Sequence, residues 1–360
     1  MMSTERPNIT VIIPTHNRAD SLRDTLECLA SAKRDGIRVE IIVVDNAGND
    51  HTREVAQSFA GRIPLRYLYE PKVGVYGKSS ALNRALDAGG LGELIAVLDD
   101  DMTPASNWFQ AVVAISKRWP KKDIFTGHTY IVWPCENTPD WAKKTLLESW
   151  LFSSVSYAPP DYELPDGRWF SGNHLWFRSR ALDHKPRFKD IWATEPDFQL
   201  DLVERGFGGV ASSEAVAGHR IQPMLLQRNM ALERAKKTGI CGAWLRLEPY
   251  RKRLKHARML HDHPWLGRLY CILNLWQWRL FYLVSFLHLS DGERFANRLL
   301  TVERMAIYRE LLRAANRLPD YSPWKRVPLH DPEEVSAQVS ELVGASASQP
   351  SRQLKQDTHR

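Results

Sequence analysis

Asp99, Asp100 and Asp101 stand one after another at the end of the apolar run Leu94-Ile95-Ala96-Val97-Leu98. Carboxylates this close repel one another, so such a cluster is costly at neutral pH unless a cation or a donor-rich ligand lies among them. A divalent metal meets that need. The plainer alternative is an acidic turn capping a helix that starts near Pro104. A second acidic group, Glu195 and Asp197, brackets Pro196 where another helix begins. There a carboxylate can serve the helix dipole alone or take part in chemistry.

The elements around these residues can be read from periodicity. Thr10 to Ile13 and Val39 to Val44 are β-branched runs of strand length, and between them Leu22, Leu26 and Leu29 recur at helical spacing over Asp20 to Ala32. A third strand is expected at Leu65 to Leu68, a helix from about Ser79 to Ala88, and a fourth strand at Leu94 to Leu98. This alternation predicts an α/β fold, a mainly parallel sheet with helices on both faces. Ligands of such sheets bind beyond the carboxyl ends of the strands. The polar stretches Pro14 to Arg18, Asp45 to Asn49 and Asp99 to Asp101 therefore converge on one rim. Beyond Trp108 the chain is irregular and rich in Trp and Pro. Its indoles either stack on a sugar ring or fill a core. A further helix is expected from about Pro196 to Arg205, closed by Gly206.

With 360 residues and 43% hydrophobic content, the chain can bury a real core. Cys28, Cys135, Cys241 and Cys271 lack the paired spacing of a zinc site or redox dithiol, which fits a reducing compartment. No N-terminal stretch reads as a secretion signal. The net charge of +7 is concentrated locally, which argues against nucleic acid as a partner. Arg246, Arg251, Lys252, Arg253, Lys255 and Arg258 crowd one segment, directly before the Leu-, Trp-, Tyr- and Phe-rich run Trp265 to Leu289. This reads as an element lying on an anionic membrane surface or as a helix of a small helical subdomain. A spanning helix is disfavoured by Asn274, Gln277 and Arg279 in its middle. Phe295, Leu299, Val302 and Ala306 mark one more amphipathic helix, and the polar end of the chain lacks the apolar residues of a core.

Taken together, Val11-Ile12-Ile13-Pro14-Thr15-His16-Asn17-Arg18, Ile41-Ile42-Val43-Val44-Asp45-Asn46, Gly74 with Ser79-Ser80-Ala81-Leu82-Asn83, and Leu98-Asp99-Asp100-Asp101 resemble the family 2 glycosyltransferases of GT-A fold. The stretch Ser171-Gly172-Asn173 with Phe177-Arg178-Ser179-Arg180 is similar to that family's acceptor-side segment, so the resemblance covers about residues 8 to 220. Among its members the chain looks most like bacterial enzymes building exopolysaccharide or lipid-linked glycans.

The resemblance implies a Rossmann-like GT-A catalytic domain over 1–235, while charge, periodicity and composition predict a basic and amphipathic helical region over 236–330 and a polar, disordered tail over 331–360. It implies inverting transfer from a nucleotide sugar, a UDP-sugar first, to a saccharide or lipid-linked saccharide. The place of work would be cytoplasmic, peripheral at the inner face of the plasma membrane. Pro14, Thr15, Arg18, Asp45, Lys78, Asp99 and Asp100 would border the donor. Asp99 and Asp101 would form the D-x-D pair, with Asp101, Asp99 and His219 as contacts of the metal, Mg²⁺ or Mn²⁺. Trp169, Gly172 and Asn173 would face the acceptor. The family's Glu-Asp pair is replaced here by Thr194-Glu195-Pro196-Asp197, so Glu195 is the first choice for the base and Asp197 the second. That departure also keeps open a non-catalytic, nucleotide-sugar-binding subunit. A sugar nucleotidyltransferase would need a glycine-rich loop after the first strand, which Pro14 to Arg18 lacks.

Overall fold

Four apolar runs build the parallel half of one sheet in the computed structural model of the chain: β1 (Ile9–Thr15), β2 (Val39–Asn46), β3 (Leu65–Glu70) and β4 (Leu94–Leu98). They lie in the order β3-β2-β1-β4, and all three pairings are parallel. The structure describes residues 6–72, 77–157, 159–164, 170, 172–247, 263–286 and 290–315, all within the compact unit Met1–Tyr321. The runs are apolar without alternation because both sheet faces are covered. Ile41 and Val43 point to one side, into a core shared with Leu22, Leu26, Val55 and Val112. Ile42 and Val44 point to the other, among Ala81, Leu82, Ala85 and Phe198. The first core is closed by α1 (Ala19–Ser31), α2 (Thr52–Ser58) and α4 (Trp108–Arg118), the second by α3 (Lys78–Asp87) and α6 (Thr194–Glu204).

The other half of the sheet is mixed. β8 (His174–Arg178) inserts antiparallel between β4 and β6 (Ile124–Val132), β6 pairs in parallel with β9 (Gly209–Arg220), and β5 (Met102–Pro104) closes the edge antiparallel to β9. The two-residue β7 (Tyr162–Glu163) also lies against β9. One expectation is corrected here. No helix starts near Pro104. The chain after the aspartates is drawn into β5, Met102 pairs with His219, and α4 begins only at Trp108. The segment Phe177-Arg178-Ser179-Arg180 ends β8 and opens a short 3-10 helix. Phe177 is in the core, and Arg178 donates from Nε to the Lys122 carbonyl at 2.8 Å. Arg180 pairs with Asp123 at 2.5 Å.

After β9 the chain is helical. α5 (Thr145–Trp150) and α7 (Arg228–Leu247) share a separate core with the last helix, Asp291–Ala315, through Leu147, Ala231, Ala235, Phe295 and Leu299. That last helix opens with a reciprocal cap: Ser290 N–H donates to Glu293 Oε2 at 3.0 Å and Glu293 N–H to Ser290 Oγ at 3.3 Å. The helix Pro264–Ser285 packs on it through Cys271, Ile307 and Leu311. Trp108, Trp141 and Trp176 are buried core residues. All four cysteines carry free thiols. The basic run 251–258 and the polar tail 331–360 lie outside the described residues.

Candidate active site

The aspartate triplet leaves β4 at the carboxyl end of the sheet, and its three members meet different partners. Asp100 is almost fully buried and turned inward. It takes a hydrogen bond from Thr15 Oγ1 at 2.7 Å and pairs with Arg18 Nη1 at 2.6 Å. Burial pushes its carboxyl up to about 7, against the pull of Arg18. Asp101 meets Arg18 Nη2 at 2.7 Å on one oxygen and faces His219 Nε2 at 3.5 Å on the other. Burial acts to raise the Asp101 pKa, but His219 and Arg18 outweigh it and hold the carboxyl well below the usual range. Arg18 stands at the first turn of α1, so the end of β1 and the start of α1 clamp the triplet from beneath.

Asp99 turns toward α3 and α6. Lys78, the first residue of α3, reaches Asp99 Oδ1 at 2.5 Å and also pairs with Glu195 in the first turn of α6. Burial would lower the Lys78 pKa, yet the two carboxylates raise it, so its ammonium is fixed as a cation. Burial raises the Glu195 carboxyl while Lys78 opposes it. Glu195 is thereby joined to the aspartate cluster by one shared cation. Asp197, two residues on, is completely buried and faces Lys189 at 3.2 Å. The two acids in the first turn of α6 thus engage different lysines.

Among the described residues no group of three or more His, Cys, Asp or Glu side chains stands in a ready-made metal arrangement. The local chemistry nevertheless fits a hard divalent cation. Asp101 Oδ1 is a buried acceptor whose contact with His219 Nε2, at 3.5 Å, is longer than an ordinary hydrogen bond, and the Asp99 side chain is 27% exposed. His219 Nδ1 donates to the Phe152 carbonyl at 2.7 Å, which leaves Nε2 toward Asp101. Mg²⁺ is commonly held by one or two carboxylates and completed by substrate phosphates and water, which is what this incomplete set offers.

The remaining expected residues fall around this centre. Pro14 and Thr15 end β1 beside Val44 and Asp45 of β2. The Asp45 carboxylate accepts from Gly48 N–H at 2.9 Å and from the Tyr67 hydroxyl at 2.8 Å, so the β2 loop holds it in place. Gly172 packs directly on Glu195. Asn173 is buried, with Nδ2 donating to the Ser153 carbonyl at 3.3 Å. Trp169 lies outside the described residues. Two residues that sequence reasoning did not single out also matter. Arg234, on α7, donates from Nε to the Leu151 carbonyl at 2.7 Å. Burial lowers its pKa, and the charges of Asp101 and Asp99 oppose that lowering. His174 accepts the Trp108 indole N–H at 2.7 Å beneath the site. Arg234 lies far along the chain in a helix of mixed polarity, and no local pattern marks it.

A sheet that is parallel on one side and mixed on the other, with an acidic turn at the end of its fourth strand, is the GT-A architecture of glycosyltransferases. A solved structure of the mannosyltransferase PcManGT from Pyrobaculum calidifontis, in complex with GDP-Man and Mn²⁺, superposes with a TM-score of 0.54 at 20% identity, covering 86% of this chain and 88% of that one. Residues 10–184, just under half of the chain, match the model of glycosyl transferase family 2, which supports a family 2 glycosyltransferase. The glycosyltransferase AglE of Haloferax volcanii is 30% identical over 114 residues, 31% of this chain and 36% of its own length. Validoxylamine A glucosyltransferase of Streptomyces hygroscopicus subsp. jinggangensis is 28% identical over 172 residues, 47% of this chain and 38% of its own. Chondroitin synthase of Escherichia coli is 30% identical over 131 residues, 34% and 19% respectively. The chain thus spans well under half the length of these relatives.

Proposed function

We propose that the protein is an inverting, divalent-metal-dependent glycosyltransferase that moves a sugar from a nucleotide-sugar donor, a UDP-sugar first, to a saccharide or lipid-linked saccharide. The observation that carries this reading is the placement of Lys78 between Asp99 of the triplet and Glu195 of α6. It sets a carboxylate beside an acidic donor-side cluster, at the strand ends where GT-A ligands sit.

The roles follow from that geometry. Thr15 and Arg18 hold Asp100 and Asp101 in fixed positions, so the cluster needs no reorganisation when a ligand arrives. Asp101, Asp99 and His219 would hold the metal, which when bound offsets the charge of the departing nucleoside diphosphate. Lys78 and Arg234 supply cations for the diphosphate oxygens, Lys78 as a point charge and Arg234 as a planar fork. Asp45 takes hydrogen bonds from the base or ribose. Glu195 accepts the proton of the acceptor hydroxyl as its oxygen attacks the anomeric carbon, opposite the leaving oxygen. The bond from that carbon to the diphosphate breaks, and the electron pair leaves with the nucleotide. Gly172 and Asn173 border the acceptor side. The catalytic part is read as 1–235, acting at the cytoplasmic face of a membrane, with 236–330 as an accessory helical region.

The test is transfer by the purified chain and by Glu195→Gln. Loss of turnover with donor binding intact supports the assignment. Full activity moves the base to Asp197 or elsewhere.

A further inference from the structure

The helix Pro264–Ser285 has two unlike faces. Gly267, Cys271 and Ser285 are buried, and Cys271 packs with Ala243, Ile307 and Leu311 against the neighbouring helices. On the opposite side Trp265, Leu269, Leu273, Trp276, Leu280 and Leu283 are each between 46% and 66% exposed. Of the sixteen large hydrophobic side chains exposed among the described residues, eleven lie on this helix or at Phe286 next to it. A face of this size on one helix needs a partner. No described helix is long and apolar enough to cross a membrane, so this one is unsuited to spanning.

Charge names the partner. Residues 249–290 hold seven Lys and Arg against one acid, Asp262, so nearly all of the chain's net charge of +7 falls in the stretch containing this helix. The helix itself has no Asp or Glu. Its two cations, Arg268 and Arg279, are eleven residues apart, which returns them to the same flank of the apolar face. Arg279 folds over the Trp276 ring at 5.6 Å, the posture of a long cation at the border between apolar and wet surroundings. A second copy docking through this face would set the Arg268 and Arg279 flanks of two copies against each other with no acid of this helix to offset them, which Coulomb repulsion opposes. An anionic lipid surface satisfies both the apolar face and the basic flank.

We propose that Pro264–Ser285 lies in the plane of an anionic bilayer surface, with the Trp265-to-Leu283 face among the acyl chains and Arg268 and Arg279 at the phosphates. This holds whatever sugar the site handles, so it stands independently of the proposed transfer.

The experiment is flotation of the full chain with vesicles of phosphatidylcholine alone and with one quarter phosphatidylglycerol. Binding to the anionic vesicles is expected, weakened about tenfold or more by the double variant Arg268→Glu, Arg279→Glu and abolished by Trp276→Glu with Leu280→Glu. Those side chains are solvent-exposed, and circular dichroism with nucleotide-sugar binding verifies that each variant is folded. No binding to either vesicle, or binding unaffected by the Trp276 and Leu280 changes, overturns the proposal. So does a dimer in solution that Leu280→Glu dissociates, which would assign the face to a second copy.

Discussion

Gly172 lies so close to Glu195 that a Cβ on the glycine would stand 2.7 Å from the Glu195 Cβ and 2.9 Å from its carboxyl carbon. The loop before β8 therefore sets the rotamer of the candidate base by direct contact, and only glycine leaves the room. Gly172→Ala should push the carboxylate off Lys78 and lower kcat by about tenfold to a hundredfold, because small misplacement of a reacting group is costly. Donor Kd should change little. Steady-state kinetics beside calorimetric donor titration separate the two, and an unchanged kcat would remove Gly172 from the positioning role.

The two acids in the first turn of α6 should behave differently. Glu195→Gln keeps the shape of the site and removes the proton acceptor, so turnover should fall by a factor of about 10² to 10⁴. Asp197 is completely buried against Lys189, and Asp197→Asn should act mainly on stability, lowering Tm. Thermal unfolding and transfer assays on both variants check the contrast. A folded Asp197→Asn without activity would reverse the assignment.

Arg234 donates from Nε to the Leu151 carbonyl, and the charges of Asp101 and Asp99 oppose the lowering of its pKa by burial. Arg234→Gln should weaken binding of a nucleoside diphosphate by about tenfold to a hundredfold, the worth of a charge-assisted contact. Binding of the nucleoside without phosphates should be unaffected. Equal losses for both ligands would show a structural role instead.

His174 gives a pH prediction. Burial lowers its pKa from 6.5 to about 3, and its Nε2 must stay unprotonated to accept the Trp108 indole N–H. A group whose pKa is depressed in the fold contributes stability above its unfolded value. That contribution declines as pH falls from about 6.5 toward 3, because the unfolded chain takes up the proton first. Urea unfolding midpoints should drop across this interval, and His174→Gln should be less stable at pH 8 but flatter below pH 6.5. An equal slope in both proteins would contradict the account.

The parallel half of the sheet was legible because its strands are continuous apolar runs and its helices keep a clear period. Local signals carried Leu94 to Leu98 into the aspartates and Leu22, Leu26 and Leu29 into α1. The mixed half was not legible in the same way. Met102-Thr103-Pro104 becomes a strand only because β9 lies beside it, and β8 enters between β4 and β6 by long-range pairing. The tryptophans beyond Trp108 show composition without direction, and Trp108, Trp141 and Trp176 turned inward. In the site, the Asp triplet was conspicuous, but neighbouring residues alone could not say which aspartate points where. That depends on Thr15 and Arg18, more than eighty positions away. His174 and Arg234 acquire meaning only from contacts that cross elements.

The most direct test of the central claim is binding and hydrolysis of a panel of nucleotide sugars by the purified chain, with and without Mn²⁺ or Mg²⁺, alongside Asp101→Ala. The account predicts metal-dependent binding of one donor, a UDP-sugar first, with slow hydrolysis that Asp101→Ala abolishes. A folded protein that binds no donor under any metal condition would contradict it.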